Sequence, residues 1–239
     1  MKTNILGVQF DNVTVSQAAD MALAGKRPFV IYTPNPEIVR RAQKESSFCD
    51  VLNSADLVVP DGIGIVYASR ILKGNIKQRA AGFDIVCALL EGLAQKNAKV
   101  YLFGGKPGVA KQAAQKVEKS YPGIRIVGAQ NGYFDEKKEE EIIADIKTQQ
   151  PDLLLVCLGA PKQEKWIMNH KDELGAGILI GAGGSIDVLS GNTKRAPEFF
   201  QNHGLEWFYR LLKEPKRIGR MISLPFFLVE VFFKRGRSI

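Results

Sequence analysis

The stretch Leu153-Leu154-Leu155-Val156-Cys157-Leu158-Gly159-Ala160-Pro161-Lys162-Gln163-Glu164 decides the fold. Its six consecutive apolar residues do not alternate between a wet and a dry face. They read as a strand covered on both sides, the form strands take in parallel sheets. The run stops at a glycine and a proline, and a helical pattern follows over 162–173. Strand, short polar loop and helix in that order make the first part of a β-α-β unit. The same order repeats outward in both directions. Apolar runs at 29–33, 55–59, 100–103, 124–127 and 178–180 alternate with helical patterns at 37–45, 64–72, 84–96, 109–121 and 136–148. The spacing predicts an α/β protein with a doubly wound, mostly parallel, Rossmann-like sheet. Residues 4–10 are expected to add an edge strand, and 15–23 to open the first crossover.

Composition narrows the class. The chain has 239 residues, 45% hydrophobic and 24% charged, the balance of a soluble globular protein. Disordered and low-complexity classes are excluded. The length suits one α/β domain with a small appendage. Cys49, Cys87 and Cys157 are far apart and contain no CxxC, which argues against a disulfide framework and a structural zinc site. The N-terminus carries no secretory pattern, so the cytoplasm is the expected compartment.

The net charge of +8 is unevenly placed. From Lys194 onward there are ten Lys or Arg residues and four Glu, so most of the excess lies in the last part of the chain. This divides the sequence into a near-neutral body, 1–193, expected to be the catalytic domain, and a basic C-terminal appendage, 194–239. Within the appendage, 197–201 and 206–213 look helical, and 221–233 is an apolar run. As a helix that run spans only ~20 Å, short of the ~30 Å hydrocarbon core. Pro225 and Glu230 also argue against a spanning segment. It reads as an amphipathic segment flanked by bases, suited to a membrane surface, where each nearby Lys or Arg adds roughly 1 kcal/mol. The alternative is a helix docked on the core or on a second subunit.

Ligands of an open parallel sheet bind beyond the carboxyl ends of its strands. The loops there, at 33–37, 60–64, 104–108, 159–164 and 181–187, combine Gly or Pro with polar groups. Glycines let backbone N–H groups approach phosphate oxygens, and the next helix start adds positive potential. Neither GxGxxG nor GxxxxGK[ST] occurs, so no dinucleotide fingerprint or P-loop is present. Gly104 reads equally as a ligand contact or as part of a tight turn. Gly183, Gly184, Ser185 and Asp187 read as ligand contacts. Asp61 is either a helix cap or a general base. Thr33 and Asn35 either bind a polyhydroxyl substrate beside it or serve the turn around Pro34 and Pro36. Arg79 precedes a helix that Asp84 is expected to cap. Gln163 and Glu164 open another helix, where Glu164 suits the helix dipole. His170 and His203 are isolated and no DxD occurs, so no protein-held metal is expected. A diphosphate leaving group then requires cationic side chains, and arginine binds phosphate through two parallel hydrogen bonds.

Taken in order, these residues resemble the WecG/TagA/CpsF glycosyltransferases (glycosyltransferase family 26). The resemblance rests on Thr33-Pro34-Asn35, Pro60-Asp61-Gly62, Arg79-Ala80-Ala81-Gly82-Phe83-Asp84, Gly159-Ala160-Pro161-Lys162-Gln163-Glu164 and Gly183-Gly184-Ser185-Ile186-Asp187. It continues in Lys194-Arg195-Ala196-Pro197, Gly204-Leu205-Glu206-Trp207, Arg210, Glu214-Pro215 and Arg217. Ile186 departs from the pattern, where an aromatic residue is expected. The resemblance implies an inverting, metal-independent enzyme without a cofactor. It would move N-acetylmannosamine from UDP-N-acetylmannosamine to undecaprenyl-diphosphate-GlcNAc through a β1,4 linkage, in wall teichoic acid linkage-unit synthesis. A donor such as UDP-ManNAcA or UDP-glucose, serving another surface polysaccharide, is the alternative within the family. The resemblance makes Asp61 the base, with Thr33, Asn35, Arg79 and Gln163 around it.

From the residues we add that Arg210, Arg217 and Arg220 are expected to fold over the pocket. The apolar tail is expected to bring the enzyme to the inner face of the cell membrane, where the acceptor lipid resides. Nucleic acid is not an expected partner, and a homodimer is one way to shield the tail. Two other classes stand against this reading: a nicotinamide-dependent oxidoreductase, and a non-enzymatic basic protein.

Overall fold

A computed structural model describes residues 2–202, 204–213 and 223–235. Arg217 and Arg220 lie outside the described residues. The six apolar runs form β3 (Phe29–Tyr32), β4 (Leu57–Val58), β5 (Lys99–Gly104), β6 (Arg125–Gln130), β7 (Leu153–Cys157) and β8 (Ile178–Gly181). They make one parallel sheet in the order β4-β3-β8-β7-β5-β6. Strands β3, β7 and β8 are buried at every position, the reason their sequences do not alternate. Residues of β6, at the sheet edge, are only partly covered.

Helices cover both faces. α2 (Pro36–Lys44), α3 (Ser46–Asn53), α4 (Ile63–Ile71), α7 (Glu136–Gln149) and α8 (Lys162–His170) pack against Tyr32, Tyr101, Phe103, Leu154, Val156 and Leu179. α1 (Val15–Ala24), α5 (Gly82–Ala94), α6 (Val109–Ser120) and α9 (Ser185–Leu189) pack against Ile31, Val100, Leu102, Leu155 and Ile180. Successive strand residues thus feed two separate cores, each fully buried large side chain contributing about 1.5–3 kcal/mol.

Three expectations are corrected. Residues 4–10 do not extend the main sheet. They form a separate antiparallel hairpin, β1 (Thr3–Ile5) with β2 (Val8–Phe10). Leu6 and Gly7 both take positive φ at the turn, and Asn4 Oδ1 accepts from the Gly7 N–H. The outer edge of β4 is taken by Asp11, whose N–H donates to the Val58 carbonyl while its carboxylate accepts from the Val58 N–H. Asp84 is not a cap, because α5 already begins at Gly82 with Ala81 as its N-cap residue. A Cβ at Gly82 would stand 2.9 Å from Thr33 Oγ1, so the helix starts close against the end of β3. Helix α3 follows α2 after a single residue, where the sequence pattern showed no separate element.

The C-terminal segment continues in α10 (Glu198–Asn202), α11 (Glu206–Lys213) and α12 (Ser223–Arg235). α12 contains most of the apolar run and docks one side on α2 and α4. Phe227 and Val231 are fully buried, and Arg40 forms a two-pronged pair with Glu230 at 3.1 and 2.9 Å. Phe226, Val229, Phe232 and Phe233 remain exposed on α12. No described helix is long and apolar enough to cross a membrane.

Leu155→Ala should lower unfolding free energy by about 2–5 kcal/mol, because the void between two packed layers cannot close. Val229→Ala should change it by less than about 0.5 kcal/mol. Urea denaturation of both variants checks the contrast.

Candidate active site

Neighbouring strands β3 and β8 send the chain to opposite faces. β3 leads into α2 on the first, and β8 into α9 on the second. The divergence opens a crevice at their carboxyl ends. The loops after β3, β4, β7 and β8 border it, so the predicted residues of those loops converge at one end of the sheet.

Thr33 and Asn35 sit on the β3 side. Thr33 is buried, and its hydroxyl donates to the Gly181 carbonyl at 3.0 Å, joining the ends of β3 and β8. Asn35 Oδ1 accepts from the Ile38 N–H at 3.1 Å and caps α2, with Pro36 in the first turn. The turn role is therefore present for Asn35. Asp61 ends the loop after β4. The cap position of α4 belongs to Gly62, whose φ of 90° is suited to glycine. The charge of Asp61 acts instead on the Arg79 guanidinium. Burial works against the charge on Arg79. Glu206, with smaller help from Asp61 and Asp84, more than offsets this and holds the group cationic.

Arg79 belongs to a network that the sequence did not reveal. Its Nη1 lies 2.7 Å from Glu206 Oε2, and its Nη2 donates to the Gln201 carbonyl at 3.2 Å. Arg195 grips Asp84 at 2.6 and 2.8 Å and lies 3.5 Å from Glu206 Oε1. Its guanidinium also stacks over Phe83. Two arginines and two carboxylates thus tie α5 and the loop before it to α10 and α11. Arg210 falls on α11.

Gln163 and Glu164 open α8 and are almost wholly buried, at 2% and 1% exposure. Gln163 Oε1 accepts from the N–H groups of Gly159 and Gly183, each at 3.1 Å. Its Nε2 donates to Glu164 Oε1 at 2.8 Å. Glu164 Oε2 has no hydrogen-bond partner. Burial pushes the Glu164 carboxyl from 4.5 up to about 7, against the opposing pull of Gln163 and Arg41. Helix-dipole reasoning alone does not anticipate this, since it treats the first turn as exposed. The signal that was available is the adjacency of Gln163 and Glu164 to a fully apolar strand.

The glycines divide by role. A Cβ at Gly104 would collide with the Cys157 carbonyl, so this residue serves the close approach of β5 and β7. Gly183, with φ of 53°, has no atom within 4 Å of where a Cβ would stand and borders open space. Gly184 precedes α9. Ser185 is buried, and its hydroxyl donates to the Ala182 carbonyl at 2.8 Å. Asp187 lies in the first turn of α9, half-buried.

A parallel sheet with such a switch point, bordered by glycine loops and by Asp61, defines a doubly wound α/β protein, a class that binds ligands at its strand ends. The family described as Glycosyl transferase WecG/TagA/CpsF matches residues 3–238, and the chain belongs to that family. It is similar to the N-acetylglucosaminyldiphosphoundecaprenol N-acetyl-beta-D-mannosaminyltransferase of Bacillus subtilis (strain 168). The two are 40% identical over 202 residues, 84% of this chain and 78% of that protein. The protein of the same name from Staphylococcus aureus (strain MW2) is 36% identical over 235 residues, 96% of this chain and 92% of that one. Membership in a glycosyltransferase family removes the oxidoreductase and the non-enzymatic alternatives.

The Glu164 carboxyl keeps its proton in the fold at pH values where it ionises in the unfolded chain. Its contribution to stability is complete below about pH 4.5 and declines as pH rises toward 7, by up to about 3 kcal/mol. Relative to Glu164→Gln, the wild type should therefore lose Tm progressively from pH 4.5 to 7 and stay level above. Parallel Tm profiles for the two proteins would contradict this.

Proposed function

We propose that this glycosyltransferase moves N-acetylmannosamine from UDP-N-acetylmannosamine to GlcNAc-diphosphoundecaprenol, in wall teichoic acid linkage-unit synthesis. One observation carries the reading: over 96% of its length the chain is 36% identical to a protein named for that transfer. In this reading the product is a β1,4 linkage, formed in one inverting displacement without a metal ion.

The chemistry follows from the crevice. The acceptor hydroxyl attacks C1 of the donor sugar on the face opposite UDP. Asp61 takes the hydroxyl proton as the new C–O bond forms, and the old C–O electron pair leaves on the diphosphate. Positioned general bases contribute typically 10²–10⁴-fold. Arg79, next to Asp61, keeps its charge through the ion-pair network and offers a fixed cation to the developing negative charge. Arg210, Arg217 and Arg220 add to it from the appendage. Thr33, Asn35, Gln163 and the turn Gly183-Gly184-Ser185, with Asp187, shape the walls that hold the donor.

The acceptor's lipid stays in the bilayer, so the enzyme works at the inner face of the cell membrane. The exposed side of α12 supplies the contact. Phe226, Val229, Phe232 and Phe233 lie outward there, and the appendage is rich in bases.

Asp61→Asn should lower turnover at least ~10²-fold while UDP affinity stays within about threefold. Turnover is assayed with UDP-N-acetylmannosamine and a short-chain GlcNAc-diphosphate lipid in EDTA, and near-normal turnover would remove Asp61 as the base. A panel of UDP-sugars in the same assay checks the donor, which fails if another UDP-sugar is turned over faster. Phe232→Ser with Phe233→Ser should reduce co-sedimentation with anionic vesicles at least about fivefold and leave Tm unchanged. Unaltered sedimentation would refute the role of α12, and dimer formation in its place would assign the face to a second copy.

A further inference from the structure

The Gln163 side chain is held from two sides. Its oxygen serves Gly159 N–H in the loop after β7 and Gly183 N–H in the loop after β8. This single acceptor sets the spacing of two loops that flank the crevice. An amide is nearly symmetric in shape, so packing alone distinguishes its oxygen from its nitrogen poorly. If the group flips, its NH2 meets two N–H donors and both contacts become repulsive. The two backbone donors and the hydrogen bond from Gln163 Nε2 to Glu164 Oε1 select one orientation together, and the Glu164 contact also anchors the amide from its nitrogen end.

Several features are specific to that contact. Glu164 is 1% exposed, a costly place for a carboxyl unless something requires it. Its main-chain carbonyl accepts from the Tyr32 hydroxyl at 3.0 Å, which pins the start of α8 to β3. A Cβ at Gly181 would come 3.1 Å from Gln163 Nε2, so the absence of a side chain at the end of β8 makes room for the amide. Thr33 holds the Gly181 carbonyl from the far side. Strands β3, β7 and β8 are thus locked at their carboxyl ends around one oriented amide.

We propose that Glu164 is a positioning residue for glycosyl transfer: it anchors the Gln163 amide from its nitrogen end, and through it the spacing of the Gly159 and Gly183 loops that align the donor. This rests on the reading of the crevice as the donor site. Charge attraction to the donor's diphosphate falls off slowly with distance, so its binding tolerates a small shift of the loops. The line of attack at C1 is far less tolerant, and a displacement of about 1 Å costs on the order of 10²-fold in rate. The loss therefore falls on kcat and spares KM.

The test compares wild type, Glu164→Gln and Glu164→Met, using whichever UDP-sugar the wild type turns over fastest. A wrong donor assignment then shows in the wild-type panel, and the variant ratios still decide the role of Glu164. Glu164→Gln keeps an acceptor oxygen and should hold kcat within about threefold of wild type. Glu164→Met keeps the volume without the acceptor and should lose kcat at least ~30-fold, with the donor KM and the UDP Kd within about threefold. Glu164→Met at wild-type kcat would overturn the proposal. So would equal loss in Glu164→Gln, or a kcat loss that merely follows the folded fraction measured by Tm.

Should Glu164→Met not fold, the reversed pair decides. Gln163→Glu alone places two carboxyls face to face and should lose activity. Gln163→Glu combined with Glu164→Gln restores a donor and an acceptor in opposite order and should recover at least about tenfold over Gln163→Glu. No recovery would overturn the proposal.

Discussion

The structure depends on the pairing of β3 with β8. Phe29–Tyr32 lies in parallel register with Ile178–Gly181, at a chain separation of 148 residues between Thr33 and Gly181. Inserting β8 between β3 and β7 unites two sets of strands into one sheet. It also places a strand whose helix lies on one face between two strands whose helices lie on the other. The crevice at the carboxyl ends is the geometric result of that divergence. Thr33, Gln163 and Gly183 meet there because the strand order brings their loops side by side. Loop-closure entropy opposes so distant a pairing, and full burial of both strands on both faces offsets it.

Around this rigid centre the C-terminal segment is attached differently. α12 contributes Phe227 and Val231 to the first core, while ion pairs among Arg79, Glu206, Arg195 and Asp84 join the segment of α10 and α11 to α5 and the loop before it. These side chains are partly exposed, and ion pairs in such settings are individually weak. Glu206 also pairs with the guanidinium on which the charge of Asp61 acts, so the C-terminal segment and the loop after β4 share one electrostatic system.

How much was legible depends on the range of the interaction. The six strands and nine of the helices follow from local pattern, because a doubly covered strand must be apolar at consecutive positions and a surface helix must be apolar at every third or fourth. The turn role of Asn35 also follows from local chemistry, and the structure makes it the cap of α2. The misreadings share one cause. Residues 4–10 were apolar enough for an edge strand, yet Asp11 already occupies the edge of β4. Asp84 looks like a cap by position, but the carboxylate is taken by Arg195, 111 residues away. Glu164 does stand in the first turn of α8, as its position suggests, and its burial beside Tyr32 and Gln163 is what the fold adds.

By itself, the sequence determined the alternation of strand and helix, the basic and apolar character of the last segment, and the set of polar loops at the strand ends. Each is a property of neighbouring residues, since hydrophobic period and turn chemistry are local. The strand order, the orientation of the Gln163 amide, the four-membered ion-pair network and the division of α12 into a buried and an exposed side were decided only by the tertiary structure. They are pairings between residues far apart in the chain. Which partner wins is settled by burial and desolvation, and these exist only after the sheet has assembled.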